Sequence, residues 1–232
     1  MPKTIRGLVS ETWQSEANLS FFLALLVLMV FVLPSIGFDQ LHKGLYDDIA
    51  ASVLLLSGAA IAWRVRWLFL VAISIVFVTL LAKWTLWLHP ARALRVSADL
   101  LTIFAIVTIL VILLVQVFAV GPISARRIEG AVAVYLGFGL TWARAYAITA
   151  SMNPGSFQSS GVVPSTSNDW LYYSFITLTT VGYGDIAPVH PVARSLAIFE
   201  AVTGQLYLAV LLARLVSLQV SGGAVTNTKG SQ

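Results

Sequence analysis

The sequence predicts an all-α membrane protein, with six transmembrane helices plus a re-entrant helix, on three observations. The first is composition: of 232 residues, 58% are hydrophobic and only 10% charged, with a mean hydropathy of +0.88. A soluble domain carries about 25% charged residues. The second is spacing: six apolar stretches are separated by breaks holding Pro, Gly or Arg. The third is a glycine-containing run, Thr179-Thr180-Val181-Gly182-Tyr183-Gly184-Asp185, set between the last two stretches. The net charge of +4 fits arginines in loops on one side of a membrane and points to no nucleic-acid partner. With no cysteine in the chain, no disulfide or thiolate metal site is available.

Residues 1–18 form a polar segment in which Ile5, Leu8, Val9 and Trp13 lie near helical spacing. That stripe fits an interfacial amphipathic helix or a frayed tail equally well. The apolar run that follows is long and has no small-residue cleavage site after it, so it is expected to be retained. The first span covers residues 19–36, with Pro34 near its outer end, where a lost backbone hydrogen bond costs little. A polar loop over 37–48 leads to the second span, 49–63. This one is short against the roughly 20 residues a crossing needs, and Tyr46 and its neighbours bring it near range. Arg64 and Arg66 end it. The third span is 67–88, with Trp84 and Trp87 as interfacial aromatics, and Pro90 breaks the chain. The fourth covers 96–120 and ends at Gly121-Pro122. Arg126 and Arg127 lead into the fifth, 128–149. An uncharged loop over 151–167 follows, and the sixth span is 192–218. The polar tail, 219–232, is expected to be disordered. The predicted units are the segment 1–18, a four-helix unit over 19–121, a unit over 122–218 that holds the glycine run, and the tail.

The glycine run is suited to exposing backbone carbonyls. Glycine adopts backbone angles that other residues avoid, so Gly182 and Gly184 allow successive C=O groups to point the same way. Such a row can replace the hydration shell of a cation, and Thr180 adds a hydroxyl at the inner end. Residues 168–178 read as a short helix running into the run, with Asn168 or Asp169 as its N-cap. Ala187-Pro188 then breaks the chain before the last helix.

At every position, the run resembles the potassium-channel signature, and the order helix, filter, break, helix resembles that family's pore module. Residues 126–218 also resemble bacterial single-pore potassium channels with four helices before the pore pair. The supporting stretches are Arg127-Ile128-Glu129-Gly130-Ala131, Asn153-Pro154-Gly155-Ser156-Phe157 and Gly204-Gln205-Leu206-Tyr207. The resemblance implies potassium ions as the permeant ligand, held by oxygens of Thr180, Val181, Gly182 and Tyr183, with Gly184 completing the filter. It implies a homotetramer, because one filter is present and a closed cage needs four. It implies a lipid bilayer as surroundings, no cofactor and no soluble ligand. A filter facing outward puts both termini in the cytoplasm of a multi-pass cell-membrane protein. Lys3, Arg6, Arg64, Arg66, Arg126, Arg127, Arg214 and Lys229 then lie inside, in agreement with the positive-inside rule.

Other residues are candidates for support or gating. Tyr172 and Tyr173 occupy the place where the family often carries paired aromatics that hold the filter's width, and Thr179 abuts them. Asp185, in four copies, makes an acidic ring at the outer mouth. Gly204 matches the family's hinge glycine. Glu200 lies inside the sixth span, where a carboxylate is costly and functional by default. It can brace the pore helix through Ser174 or Thr177, or titrate and bias gating. Leu208, Leu212 and Val216 follow a four-residue rhythm that fits an apolar gate or ordinary packing. Asp99 is expected to pair with Arg95 four residues before it, and Arg144 to pair with an acid or snorkel outward. His42, His89 and His190 read as interfacial histidines.

The implied function is selective potassium conduction. A nonselective cation channel of the same fold is the alternative, as is a potassium-transporter subunit, a family with four degenerate filters per chain where this chain has one. An enzyme is not expected, since no Ser/His/Asp set or paired carboxylates share a predicted membrane face. Strong voltage gating is not expected either, because the fourth span contains no Lys or Arg and Arg92 and Arg95 sit at its outer end. Two packings are open to the first four helices: against their own pore pair or a neighbour's.

Overall fold

The computed structural model describes residues 16–36, 43–61, 66–88, 92–119, 124–161 and 164–228. The N-terminal stripe, His42 and His89 lie outside these residues. Helix α1 (Glu16–Val27) continues through a π-helical turn, Leu28–Val32, into a 3-10 turn, Leu33–Ser35. Pro34 is the cause: it has no N–H to donate and its ring crowds the preceding turn, so the helix widens before it and stops. The other helices are α2 (Lys43–Ile61), α3 (Arg66–Leu88), α4 (Arg92–Val117), α5 (Ala125–Met152), α6 (Ser167–Leu178) and α7 (Pro191–Thr228). Two short strands, β1 (Phe157–Ser159) and β2 (Ile186–Pro188), pair antiparallel.

Among the described residues, four helical stretches are long and apolar enough to cross a membrane: Asn18–Ser35, Leu94–Val117, Ala125–Met152 and Pro191–Ser217. Asp48–Ile61 and Phe69–Thr85 are shorter apolar stretches. The chain is thus a mostly helical, multi-pass membrane protein. Two boundaries differ most from those expected. Helix α2 starts at Lys43, inside the predicted polar loop. Helix α7 runs on to Thr228 through the tail expected to be disordered. No proline interrupts residues 219–228, and each added residue gains a backbone hydrogen bond once a helix is under way.

Each of α1 to α4 packs on its successor, and both α1 and α4 lie against α5 of the same chain. Leu26, Leu55, Val76, Leu113 and Val134 are fully buried between these helices. Small residues set the spacing. A Cβ added at Gly58 would come 2.6 Å from the Ile109 Cδ1, so α2 and α4 approach closely there. Helices in lipid gain little from burial alone and associate through such close contacts.

Polar side chains tie the bundle together. Lys83 on α3 meets Asp48 on α2 at 2.6 Å, and Arg144 on α5 meets Asp99 on α4 at 3.6 Å. Asp99 therefore pairs across helices rather than with Arg95, correcting the expected intrahelical pair. Arg95 is exposed, whereas Asp99 is half-buried at the α4–α5 contact. An exposed i,i+4 pair is worth only a few tenths of a kcal/mol, too little to draw the carboxylate away from a partner in its own interface. Ser20 on α1 donates to Glu129 on α5 at 2.8 Å.

Candidate functional site

Helix α6 begins at a capping box. Thr166 is the N-cap: its Oγ1 accepts from the Asp169 N–H at 3.3 Å, and Asp169 Oδ2 accepts from the Thr166 N–H at 2.8 Å. This corrects the expected cap at Asn168 or Asp169. Asp169 contributes as the reciprocal third helical residue, and its charge suits the positive end of the helix dipole. The helix ends at Thr179, whose N–H and Oγ1 both donate to the Phe175 carbonyl, at 3.0 and 2.6 Å. The glycine run therefore leaves from the negative end of that dipole.

Every second residue of the run has a positive φ: Thr180 at 60°, Gly182 at 52° and Gly184 at 79°. In a regular extended chain successive carbonyls point to opposite sides. Alternating the handedness of successive residues turns them toward one side. The two glycines carry this without steric cost. Thr180 is β-branched, and its positive φ is strained backbone that the surroundings must hold. They do so through its N–H, which donates to the Thr177 carbonyl at 2.9 Å, and through Gln205 on α7, whose Nε2 donates to Thr180 Oγ1 at 3.3 Å. The Gly182 N–H donates back to Ile176 of α6 at 3.0 Å. In the single chain the run is open on its other side, with Val181 52% and Tyr183 72% exposed.

The outer end is clamped by the β-ribbon, which pairs Phe157 with Pro188 and Ser159 with Ile186. The Ser160 N–H donates to the Asp185 carbonyl at 3.0 Å, and the Val189 N–H to the Ser156 carbonyl at 2.9 Å. The loop read as uncharged and irregular over 151–167 thus holds a strand. Asp185 Oδ1 is buried with no hydrogen-bond partner among the described residues. The Asp185 carboxylate beside Tyr172 holds its phenol above the ordinary value. His190 Nδ1 accepts from the Val192 N–H at 3.3 Å, capping α7 ahead of Pro191 in its first turn.

The adjacent tyrosines part ways. Tyr172 is exposed beside the run's mouth, while Tyr173 is buried behind α6. Its ring packs edge-on against Tyr146 and Phe157, with centroids 4.8 and 5.4 Å away, and Phe157 meets Trp170 at 4.9 Å. Helix α5 closes on α6 at Gly139, where a Cβ would lie 2.5 Å from the Phe175 ring. Helix α7 closes on the end of α6 at Gly204, where a Cβ would lie 2.5 Å from the Leu178 carbonyl oxygen. The hinge candidate is therefore also a point of tight backbone contact. Tyr207 on α7 donates to the Ala131 carbonyl of α5 at 2.8 Å. Leu208, Leu212 and Val216 lie exposed along α7.

Glu200 is fully buried between α5, α6 and α7. Its Oε1 lies 2.5 Å from Ser174 Oγ, and its Oε2 accepts from the Tyr146 hydroxyl. Of the two partners expected, Ser174 is the one bound, and Thr177 donates instead to the Tyr173 carbonyl. Tyr146 and Gln205 were not singled out from the sequence. The i,i+4 pair of Trp142 and Tyr146 was the available signal for the first, since it marks one face of α5. Among the described residues no three His, Asp or Glu side chains converge. The groups gathered at the run are backbone carbonyls and a hydroxyl, oxygen ligands suited to a hard cation rather than a soft, thiolate-seeking metal.

Comparison with known proteins bears on this part of the chain. Residues 134–220 match a family model described as "Ion channel". "Two pore potassium channel c" of Oryza sativa subsp. japonica is 36% identical over 83 residues, which is 36% of this chain and 17% of that protein. "Two-pore potassium channel 4" of Arabidopsis thaliana is 42% identical over 60 residues, 26% of this chain and 21% of that protein. The matches thus span about a fifth of the length of these curated relatives. No solved structure matches significantly. The stretch from the middle of α5 into α7, which contains the whole glycine run, is similar to an ion-channel domain.

Proposed function

We propose that the protein is a potassium-selective channel, built as a homotetramer in which four copies of the run face a common axis. The observation that carries this reading is the positive φ at every second residue from Thr180 to Gly184, on a TVGYG sequence fixed to the end of α6. The printed names of the two plant relatives support potassium as the ion. An ion leaves its water at the inner cavity and passes oxygen rings from Thr180, Val181, Gly182 and Tyr183, with several sites occupied at once. Four α6 C-termini favour a cation below the filter, and four Asp185 carboxylates concentrate cations above it. The exposed run and exposed α7 are what one quarter of such an assembly presents. Six spans, with both termini cytoplasmic in the cell membrane, complete the proposal. Along α7, Gly204 is the proposed pivot and Leu208, Leu212 and Val216 the proposed constriction.

Planar-bilayer recording of the purified protein tests it. The reversal potential is expected to follow the potassium gradient when sodium faces potassium. A reversal potential near zero in that mixture identifies a nonselective cation channel instead.

Opening is expected to depend weakly on voltage. The membrane field acts on moving charge at about 2.3 kcal/mol per elementary charge per 100 mV, and steep gating needs roughly three to four charges per subunit. Helix α4 carries Arg92 and Arg95 only at its start, and Arg144, the basic partner of Asp99, belongs to α5. Open probability measured against voltage in symmetrical potassium checks this, and a curve as steep as several charges per subunit overturns it.

A further inference from the structure

Ser174 Oγ lies 2.8 Å from the Gly139 carbonyl and 2.5 Å from Glu200 Oε1. A serine hydroxyl has one hydrogen to donate. The Gly139 carbonyl has none, so if Ser174 donates to Glu200, its contact with Gly139 is two oxygens facing each other with no proton between them. If instead Glu200 holds a proton on Oε1, every contact is satisfied in one chain. The Tyr146 hydroxyl donates to Oε2, Oε1–H donates to Ser174, and Ser174 donates to Gly139. Three contacts then have three protons, where an ionised carboxylate leaves them with two.

The surroundings agree. Glu200, Ser174 and Tyr146 are each fully buried, and an unpaired charge is expensive in such a place. The titratable groups facing the carboxyl are Tyr146 and Tyr135 from α5 and Tyr173 from α6. Among the described residues no Lys or Arg is hydrogen-bonded or ion-paired with it.

We propose that Glu200 works as a neutral carboxylic acid, a positioning residue that latches α5, α6 and α7 together and so sets where α6 delivers the filter. The role in conduction rests on the channel reading above; the protonation does not. Position in the chain fits this role. Ser174 lies one helical turn before Leu178, the residue over which Gly204 of α7 closes. Release of the latch would break the polar tie of α6 to both neighbours at once, because Ser174 bonds both Gly139 of α5 and Glu200 of α7.

The test uses the full chain in lipid, as wild type, Glu200→Gln and Glu200→Ala. A glutamine reproduces the chain of bonds, its amide N–H donating to Ser174 and its oxygen accepting from Tyr146. The infrared difference spectrum of wild type minus Glu200→Gln is expected to show the carbonyl band of a protonated acid at neutral pH. Carboxylate bands in its place overturn the proposal. Glu200→Gln is expected to retain thermal stability and potassium flux within about twofold, and Glu200→Ala to lose about tenfold in flux, or to fail to assemble, through the loss of two buried hydrogen bonds. A glutamine variant as impaired as the alanine variant also overturns it. If wild type passes no selective potassium current, the channel reading fails, while the spectrum and the stability comparison still decide the latch.

Discussion

Alanine at Gly182 is expected to abolish selective potassium conduction while leaving the helices folded. The reason is backbone angle rather than space. Gly182 has a φ of 52°, and a Cβ added there meets nothing within 4 Å in the single chain. An L-residue held in the left-handed region costs about 1–2 kcal/mol, so the four copies of the proposed tetramer would cost on the order of 4–8 kcal/mol in total. That is comparable with the whole stability of a small domain, and rotation of the 182 carbonyl away from the row relieves it. The bond from the Gly182 N–H to Ile176 then has to stretch or break. Thr180 shows that one strained residue can be held, but it has Thr177 and Gln205 to hold it. Reversal potentials in mixed sodium and potassium measure the outcome, and potassium selectivity equal to wild type in Gly182→Ala would sink the filter assignment.

Alanine at Gly204 is expected to destabilise the protein, against the ordinary trend. In a helix interior, Gly to Ala normally gains about 1 kcal/mol. Here the new Cβ would sit 2.5 Å from the Leu178 carbonyl oxygen and 2.9 Å from its Cδ1. The side chain can move; the carbonyl, at the last residue of α6, cannot do so without shifting the start of the filter. Overpacking of this kind costs about 1–3 kcal/mol per site. Thermal denaturation and potassium flux of Gly204→Ala are therefore both expected to fall below wild type. Leu178→Ala should not restore them, since the closest clash is with backbone. A stable, fully conducting Gly204→Ala would leave Gly204 no role beyond flexibility.

What could be read in the sequence, and what could not, divides by the range of the interaction. The glycine run was legible because its chemistry is local: Gly182 and Gly184 declare positive φ by being glycines. Thr180 does not, since a β-branched residue argues against that angle, and only contacts from elsewhere hold it there. The cap of α6 was misplaced by two or three residues because Thr166, Asn168 and Asp169 are all good caps, and the reciprocal pairing selects among them. Asp99 was assigned to Arg95 on helical spacing, which sees one helix at a time, whereas Arg144 lies on another. Glu200 stood out as an acid in an apolar span, but Tyr146 looked like any aromatic in a membrane helix. The ribbon was invisible because three residues are too few to show strand alternation.

That ribbon bears on how the molecule is made. β1 precedes the re-entrant helix and β2 follows the filter, so their pairing closes a loop containing both. The entropy of closing such a loop rises only slowly with its length, and the partners belong to one polypeptide. Closure, and the α7 contacts from Gln205 and Gly204 that complete it, can therefore occur within one chain before another copy is met. Each newly synthesised subunit then carries its stretch of filter already bent to shape. In the proposed homotetramer, association then becomes the docking of finished quarters, limited by encounter in the membrane rather than by refolding around the axis.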